Sequence, residues 1–278
     1  MLAAPSRFRF PDPASDRVLV MGVLNVTPDS FSDGGRFLAS GAAIAHAADM
    51  ARDGADILDI GAESTRPYGG AKPVEADEEI ARLAPVLAEI VEIGAPVSID
   101  TMKAEVASFA LERGAAIVND VWGLQRDKDM ARVVAEHGAT VVVMHNRERA
   151  DPAIDIMGDI ADFFSRSLDI AAAAGIAPTR IILDPGIGFG KVPAQSVTAL
   201  ARLGELRRFG LPLLVGASRK RFIDSLSPAP PDKRLGGSIA AHLAAAAAGA
   251  AIVRVHDVAE TVQALKVAKA IREAECPT

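Results

Sequence analysis

Two sets of polar residues with opposite chemistry recur at the ends of short apolar runs in this 278-residue chain. In one set, Arg254 and His256 alternate with Val255, so in an extended segment both side chains face the same way and can meet a single anionic group. Arg66, Lys220 and Asn25 can join them, and Gly-Ala-Ser-Arg-Lys at 216–220 reads as a turn opening a helix, whose amides favour an anion. Clustered Arg, Lys and His of this kind suit a phosphate or diphosphate. In the other set, Asp100, Asn119 and Asp184 supply two carboxylates and a carboxamide. These acceptors match a nitrogenous heterocycle rich in N–H donors, such as an aminopyrimidinone. One set grips an anion and the other reads a ring.

Such groups converge only if the elements that bear them end at the same place. Runs rich in Val, Ile and Leu recur at 18–25, 57–61, 97–100, 117–119, 141–144, 181–184, 213–216 and 252–255. They are apolar on both faces, as strands of a buried parallel sheet must be. Alanine-rich segments with helical spacing separate them. The clearest is a helix over 75–93, with Ile80, Leu83, Leu87, Ile90 and Val91 on one stripe. Gly54, Gly114, Gly138, Gly175, Gly210 and Gly249 each close a helical stretch. Strand ends recur about every 33 residues, the length of a βα unit. The spacing predicts a single (β/α)8 barrel over 18–274 after a lead-in over 1–17, with an open doubly wound sheet as the alternative. No Gly-x-Gly-x-x-Gly follows the first strand, which weakens a dinucleotide-binding reading. In a barrel the strand ends and the loops after them share one mouth. Here they carry Asn25, Thr27, Asp29, Glu63, Thr65, Arg66, Ser218, Lys220 and His256.

Composition narrows the class. A chain that is 50% hydrophobic and 24% charged is neither disordered nor collagenous. Cys276 stands alone, which excludes a disulfide framework and points to a reducing, cytoplasmic compartment. Thirty basic against 36 acidic side chains give a net charge of -6, which argues against nucleic acid as the main partner. The start of the chain does not read as an export signal. The longest apolar run, 243–253, is shorter than the ~20 residues that span a bilayer, so no membrane partner is expected.

Five motifs lie in order along the chain: Asn-Val-Thr-Pro-Asp-Ser-Phe-Ser-Asp-Gly-Gly at 25–35, Asp-Ile-Gly-Ala-Glu-Ser-Thr-Arg-Pro at 59–67, Asp-Pro-Gly-Ile-Gly-Phe-Gly-Lys at 184–191, Gly-Ala-Ser-Arg-Lys at 216–220 and Arg-Val-His-Asp-Val at 254–258. Together, over Val20 to about Lys269, they resemble the dihydropteroate synthase family. The resemblance implies an enzyme that joins 6-hydroxymethyl-7,8-dihydropterin diphosphate to 4-aminobenzoate with Mg2+, acts as a homodimer and is the target of sulfonamides. It implies that Asp100, Asn119 and Asp184 bind the pterin, that Lys220 bonds to it, and that Met144 and Phe189 shape the pocket. Asn25 would hold Mg2+ with the diphosphate, which Thr65, Arg66, Arg254 and His256 would contact. Thr65, Pro67, Phe189 and Ser218 would surround the aminobenzoate, and the loops 27–37 and 64–72 would close as lids. Asp100, Lys220, Arg254 and His256 then form the catalytic group, acting on a dissociative, SN1-like path.

Other readings compete with these. A methyltetrahydrofolate-corrinoid type of methyltransferase would share the Asp/Asn/Asp set but has no diphosphate to bind, and a silent pterin-binding paralogue would need no intact anion site. Asp59 reads as a residue that caps a helix or fixes a turn. Gly186, Gly188 and Gly190 read as turn glycines without a phosphate contact. Trp122, His137, His145, His242 and Cys276 read as structural. Ala62, Tyr68, Trp122 and Asn146 depart from the family pattern without removing a charged group.

Overall fold

Each apolar run forms a strand, and each strand pairs in parallel with its neighbours. In the computed structural model, which describes residue 8 and residues 17–26, 36–63 and 74–275, the strands are β1 (Leu19–Asn25), β2 (Ile57–Gly61), β3 (Val97–Asp100), β4 (Ile117–Asp120), β5 (Thr140–Met144), β6 (Ile181–Asp184), β7 (Leu214–Val215) and β8 (Ile252–Val255). The helices around them are α1 (Arg36–Arg52), α2 (Ala76–Leu83), α3 (Leu87–Glu92), α4 (Ala104–Leu111), α5 (Met130–His137), α6 (Ile156–Ala173), α7 (Pro193–Ala201), α8 (Arg221–Leu226), α9 (Leu235–Ala247) and α10 (Val258–Glu275). The sheet order is β6-β5-β4-β3-β2-β1-β8-β7. A parallel bridge between Leu183 and Leu213 closes the last gap. The fold is a (β/α)8 barrel, and this closure excludes the doubly wound alternative.

The seam between β6 and β7 has a local cause. Leu183 donates its N–H to the carbonyl of Pro212 at 2.9 Å, and Pro212 has no N–H to return. With β7 only two residues long, a bridge forms there in place of a ladder.

Burial alternates along each strand as its period of two requires. On β1, Leu19 and Met21 face the barrel interior while Val20 and Leu24 join the main core under the helices. Gly22 also faces outward, where a Cβ would come 2.9 Å from Met50 Sδ and 3.1 Å from Val258 Cγ2, so α1 and α10 can close on β1 only over a glycine. The base of the interior is apolar, built from Leu19, Met21, Ile57, Ile117, Val142, Ile182, Leu214 and Ile252. Phe8 completes it, its carbonyl accepting from Arg180 Nη1 at 2.8 Å. One residue of the expected lead-in is thus part of the barrel base; the rest of it, apart from Arg17, lies outside the described residues.

Two expectations for the helices meet different outcomes. The six glycines expected to end helices all have positive φ, Gly138 at 59° ending α5 in the left-handed conformation. The helix expected over 75–93 is two helices, α2 and α3, because Pro85 lacks the N–H for the next intrahelical bond and its ring clashes with the preceding turn. Ile80 remains only partly buried, while Leu83, Leu87 and Ile90 keep the buried stripe across the break. Among the described residues no helix is long and apolar enough to cross a membrane.

One buried group of α9 works against stability. His242 is 1% exposed, and neither ring nitrogen has a partner among the described residues. Burial pushes its pKa down to about 4 from 6.5, with Asp257 opposing weakly. Below pH 6.5 the unfolded chain therefore takes up a proton that the folded chain refuses, and stability falls as the pH drops towards 4. His242→Leu is expected to stabilise the protein by about 1 kcal/mol at pH 7.5. The gap should widen by up to about 1.4 kcal/mol per pH unit as the pH falls through that window. Urea denaturation across a pH series measures this, and a gap independent of pH would refute it.

Candidate active site

Counting by twos from the apolar base gives the composition of the barrel mouth. On the same inward faces, β1 continues to Val23 and Asn25, β2 to Asp59 and Gly61, and β4 to Asn119. Likewise β5 reaches Met144, β6 reaches Asp184, β7 leads to Gly216, and β8 leads to Arg254 and then His256. On β3, Asp100 follows Ser98 by the same step. A cavity of about 490 Å³ opens at this level, and Asn25, Asp100, Phe189, Ser218, Lys220, Arg254 and His256 all line it.

Arg254 organises the floor. Its Nε donates to Asp59 Oδ2 at 2.6 Å and its Nη2 to Asp100 Oδ2 at 2.7 Å. Asp59 Oδ2 also accepts from Asn119 Nδ2 at 3.1 Å. That bond turns the carboxamide so that Asn119 Oδ1 is its remaining acceptor. Asn119 Oδ1 and Asp100 Oδ1 are buried without a partner among the described residues, a costly state unless a ligand supplies donors. Asp184 holds its turn by accepting from the Gly186 N–H at 2.7 Å. Burial raises the pKa of Asp184 to about 6 against that bond and the pull of Lys220 and Lys191. Asp100 is also raised, by burial first, with Arg254 opposing and Asp59 adding to the rise. Burial works against the charge of Arg254, but Asp59 and Asp100 outweigh it and keep the guanidinium protonated.

The rim is cationic and aromatic. Ser218 Oγ lies 3.0 Å from His256 Nδ1 and accepts from the His256 backbone N–H at 3.3 Å, joining the turn after β7 to the end of β8. Lys220 Nζ sits 4.0 Å from the centre of the Phe189 ring. Phe189 packs with Met144 and Val121, against which Met102 and Trp122 rest. In the 216–220 turn one amide is already engaged, Arg219 N–H donating to Ser238 Oγ at 2.9 Å. Arg219 itself pairs with Asp257.

The turn 186–190 depends on its glycines for its conformation. Gly186 has φ of 63°, and a Cβ there would lie 2.0 Å from the His145 carbonyl oxygen, so only glycine fits. Thr65, Arg66 and Pro67, and both expected lids save 36–37 at the start of α1, lie outside the described residues. The segment bearing these three residues starts and finishes at a common carboxylate: Glu63 Oε1 accepts from Val74 N–H at 3.1 Å, and Glu63 Oε2 from Lys103 Nζ at 2.6 Å. Lys103 also reaches Glu79 at 2.8 Å.

A family model described as pterin binding enzyme matches residues 21–256. The chain belongs to the pterin-binding enzyme family. A dihydropteroate synthase of Bacillus subtilis is 44% identical to it over 257 residues, 92% of this chain and 89% of that protein. A crystal structure of dihydropteroate synthase from Clostridium difficile in the presence of pteroic acid superposes with a TM-score of 0.89 at 48% identity, covering 92% of this chain and 97% of that one. The Xanthomonas albilineans dihydropteroate synthase with 4-aminobenzoic acid gives 0.88 at 46% identity, covering 92% and 94%.

In this pterin-binding enzyme, sequence reasoning missed Asp59. It is not a strand end and caps no helix: β2 continues to Gly61, and Asp59 is fully buried as the anchor of Arg254 and Asn119. The available signal was a carboxylate inside an apolar strand, where only a paired charge is tolerated. Asp59→Asn leaves Arg254 charged with one counter-charge fewer, and should cost about 3 kcal/mol of folding free energy. Chemical denaturation checks this; an unchanged midpoint would mean that Asp100 balances the arginine alone.

Proposed function

We propose that this chain is a dihydropteroate synthase that condenses 6-hydroxymethyl-7,8-dihydropterin diphosphate with 4-aminobenzoate, forming 7,8-dihydropteroate and diphosphate. The observation that carries the proposal is a cavity whose floor joins Arg254 to the donor-seeking carboxylate of Asp100 beneath a rim of Lys220 and His256, with a second unpartnered acceptor on Asn119, tied through Asp59 to Arg254. A pterin presents N–H donors to such a floor, and a diphosphate meets such a rim. The likeness to proteins solved with pteroic acid and with 4-aminobenzoic acid supports both substrate classes.

On this reading Asp100, Asn119 and Asp184 hold the pterin ring, Lys220 bonds to it, and Met144 and Phe189 form its wall. Thr65, Arg66, Arg254 and His256 receive the diphosphate, while Thr65, Pro67, Phe189 and Ser218 surround the aminobenzoate. Mg2+ fits the donor set. Gly61 leaves open the space between Asn25 Oδ1 and Asp100 Oδ2, each 3.7 Å from where its Cβ would stand. Among the described residues no three His, Cys, Asp or Glu side chains converge on a metal. Asn25 would then give one oxygen, with substrate phosphate and water completing the shell, a common arrangement for this ion. When bound, Mg2+ supplies neutralisation of the charge on the departing diphosphate. The homodimeric state and the cytoplasmic location belong to the same proposal.

The chemistry follows from where the charges stand. The bond between the pterin methylene and the diphosphate oxygen breaks, its electron pair leaving with the diphosphate towards Arg254 and His256. The electron-rich dihydropterin supports the cationic methylene that remains, and Asp100 stabilises it electrostatically. The amine of 4-aminobenzoate, neutral at pH 7, adds to the methylene, and the acidic anilinium that forms gives its proton to water, so no strong general base is required.

Purified protein given both substrates and Mg2+ should release dihydropteroate and diphosphate in equal amounts; pterin binding without product would sink the proposal. EDTA should abolish turnover and leave binding of 6-hydroxymethylpterin intact. Positional isotope exchange within the bound diphosphate, without 4-aminobenzoate, is expected for the dissociative path and absent for direct displacement. The raised carboxylates set an acidic limb. As the pH falls below about 6, Asp184 takes up a proton and loses acceptor strength, and kcat/KM should fall with it.

A further inference from the structure

Behind the wall of the cavity lies a chain of ionisable groups, buried at Lys191 and His145 and reaching the surface at Asp159 and Arg147, that the chemistry above does not use. Lys191, the last residue of the 184–191 motif, is 2% exposed. Its ammonium donates to three uncharged acceptors: Gly186 O at 2.9 Å, Phe189 O at 3.1 Å and His145 Nδ1 at 2.7 Å. With Nδ1 accepting, His145 carries its proton on Nε2, which donates to Asp159 Oδ2 at 2.9 Å. Arg147 pairs with the other Asp159 oxygen at 2.8 Å. Burial, and then the charge of Lys191, keep His145 neutral by lowering its pKa.

All of this converges on one turn. Gly186 O, bonded by Lys191, also accepts from Phe189 N–H at 3.0 Å. The Gly186 amide serves Asp184, and the Phe189 ring faces Lys220 and packs on Met144. The other end of the chain is rigid: His145 follows Met144, donates its backbone N–H to Asp184 O at 2.8 Å, and packs edge-on against Phe163 of α6. An apolar side chain at position 191 would fill the volume but take the lysine donor from both carbonyls, leaving Gly186 O with the Phe189 N–H alone.

We infer that Lys191 is a positioning residue, tying the turn that carries the Phe189 ring and the Gly186 amide to the end of β5, so that the ring stays at the cavity wall and the amide keeps its hold on the Asp184 carboxylate. This rests on the reading of the cavity as a pterin site. Burial sets a cost on this ammonium, lowering its pKa to about 7 against the pull of Asp184 and Asp159. It also acts on Asp184 at a distance, favouring the ionised carboxylate as Lys220 does. Loss of the ammonium should let the Asp184 pKa rise, with the Gly186 amide, Lys220 and Arg254 still holding it down in part.

The test uses Lys191→Met and Lys191→Gln, the second keeping two N–H donors without the charge. Expected in Lys191→Met is a rise of tenfold or more in KM for the pterin diphosphate with kcat changed less than threefold, and an acidic limb of kcat/KM moved to higher pH. Lys191→Gln should recover part of the KM and none of the pH shift. A folded Lys191→Met protein with parental KM and pH profile would overturn the inference. If Lys191→Met does not fold, Asp159→Ala decides: KM should rise two- to fivefold as His145 loses its orienting acceptor, and an unchanged KM overturns the inference. Calorimetric binding of 6-hydroxymethylpterin to the same variants keeps the two readings apart. Should the parent make no dihydropteroate yet bind pterin, the synthase reading fails while Lys191 is still tested by affinity.

Discussion

A guanidinium inside a barrel must find negative charge there, and the Arg254 group finds it in Asp59 and Asp100. Much of the mouth follows from this one requirement. The arginine on β8 reaches across to β2 and β3, which fixes three inward faces relative to one another. Through Asp59 it also decides which way the Asn119 carboxamide points. Tightly packed apolar residues would stabilise such an interior at least as well. The polar set is therefore not the source of the protein's stability, which lies in the apolar base below and in the helix-covered faces outside.

The sequence was informative where chemistry and periodicity coincide. Asp100, Asn119 and Asp184 stand on the last inward positions of short strands, so a rule about strand ends was enough to gather them. Arg254 and His256 followed from alternation alone. Asp59 escaped because it lies in mid-strand, where a lone carboxylate looks like a local capping residue until its partner, 195 positions away, is known. The chain from Lys191 to Asp159 escaped for the same reason: three of its members read as ordinary loop and helix residues, and their proximity depends on how β5 and β6 pair. The break at Pro85 was visible in principle, but the apolar stripe of α2 and α3 continues across it and reads as one helix.

Net charge describes this surface poorly. The chain is acidic by six charges, yet Arg219, Lys220, Arg221, Arg234, Arg254 and His256 all border one cavity. Several of these cations are matched nearby, Arg219 to Asp257 and Arg234 to Asp224. A field of this kind acts over a few ångströms and is screened beyond about 10 Å. An acidic protein can therefore receive a diphosphate ester without attracting polyanions in general.

The seam between β6 and β7 places Asp184 on one bank and Ser218 on the other, joined in backbone pairing, among the described residues, where Leu183 meets Pro212 and Leu213. The separation of the two banks is thus governed less by strand hydrogen bonds than by the outer layer, where α7 touches α6, α8 and α9. A change of side-chain volume on α7 consequently has a mechanical route to the width of the barrel mouth, without touching any residue that lines the cavity.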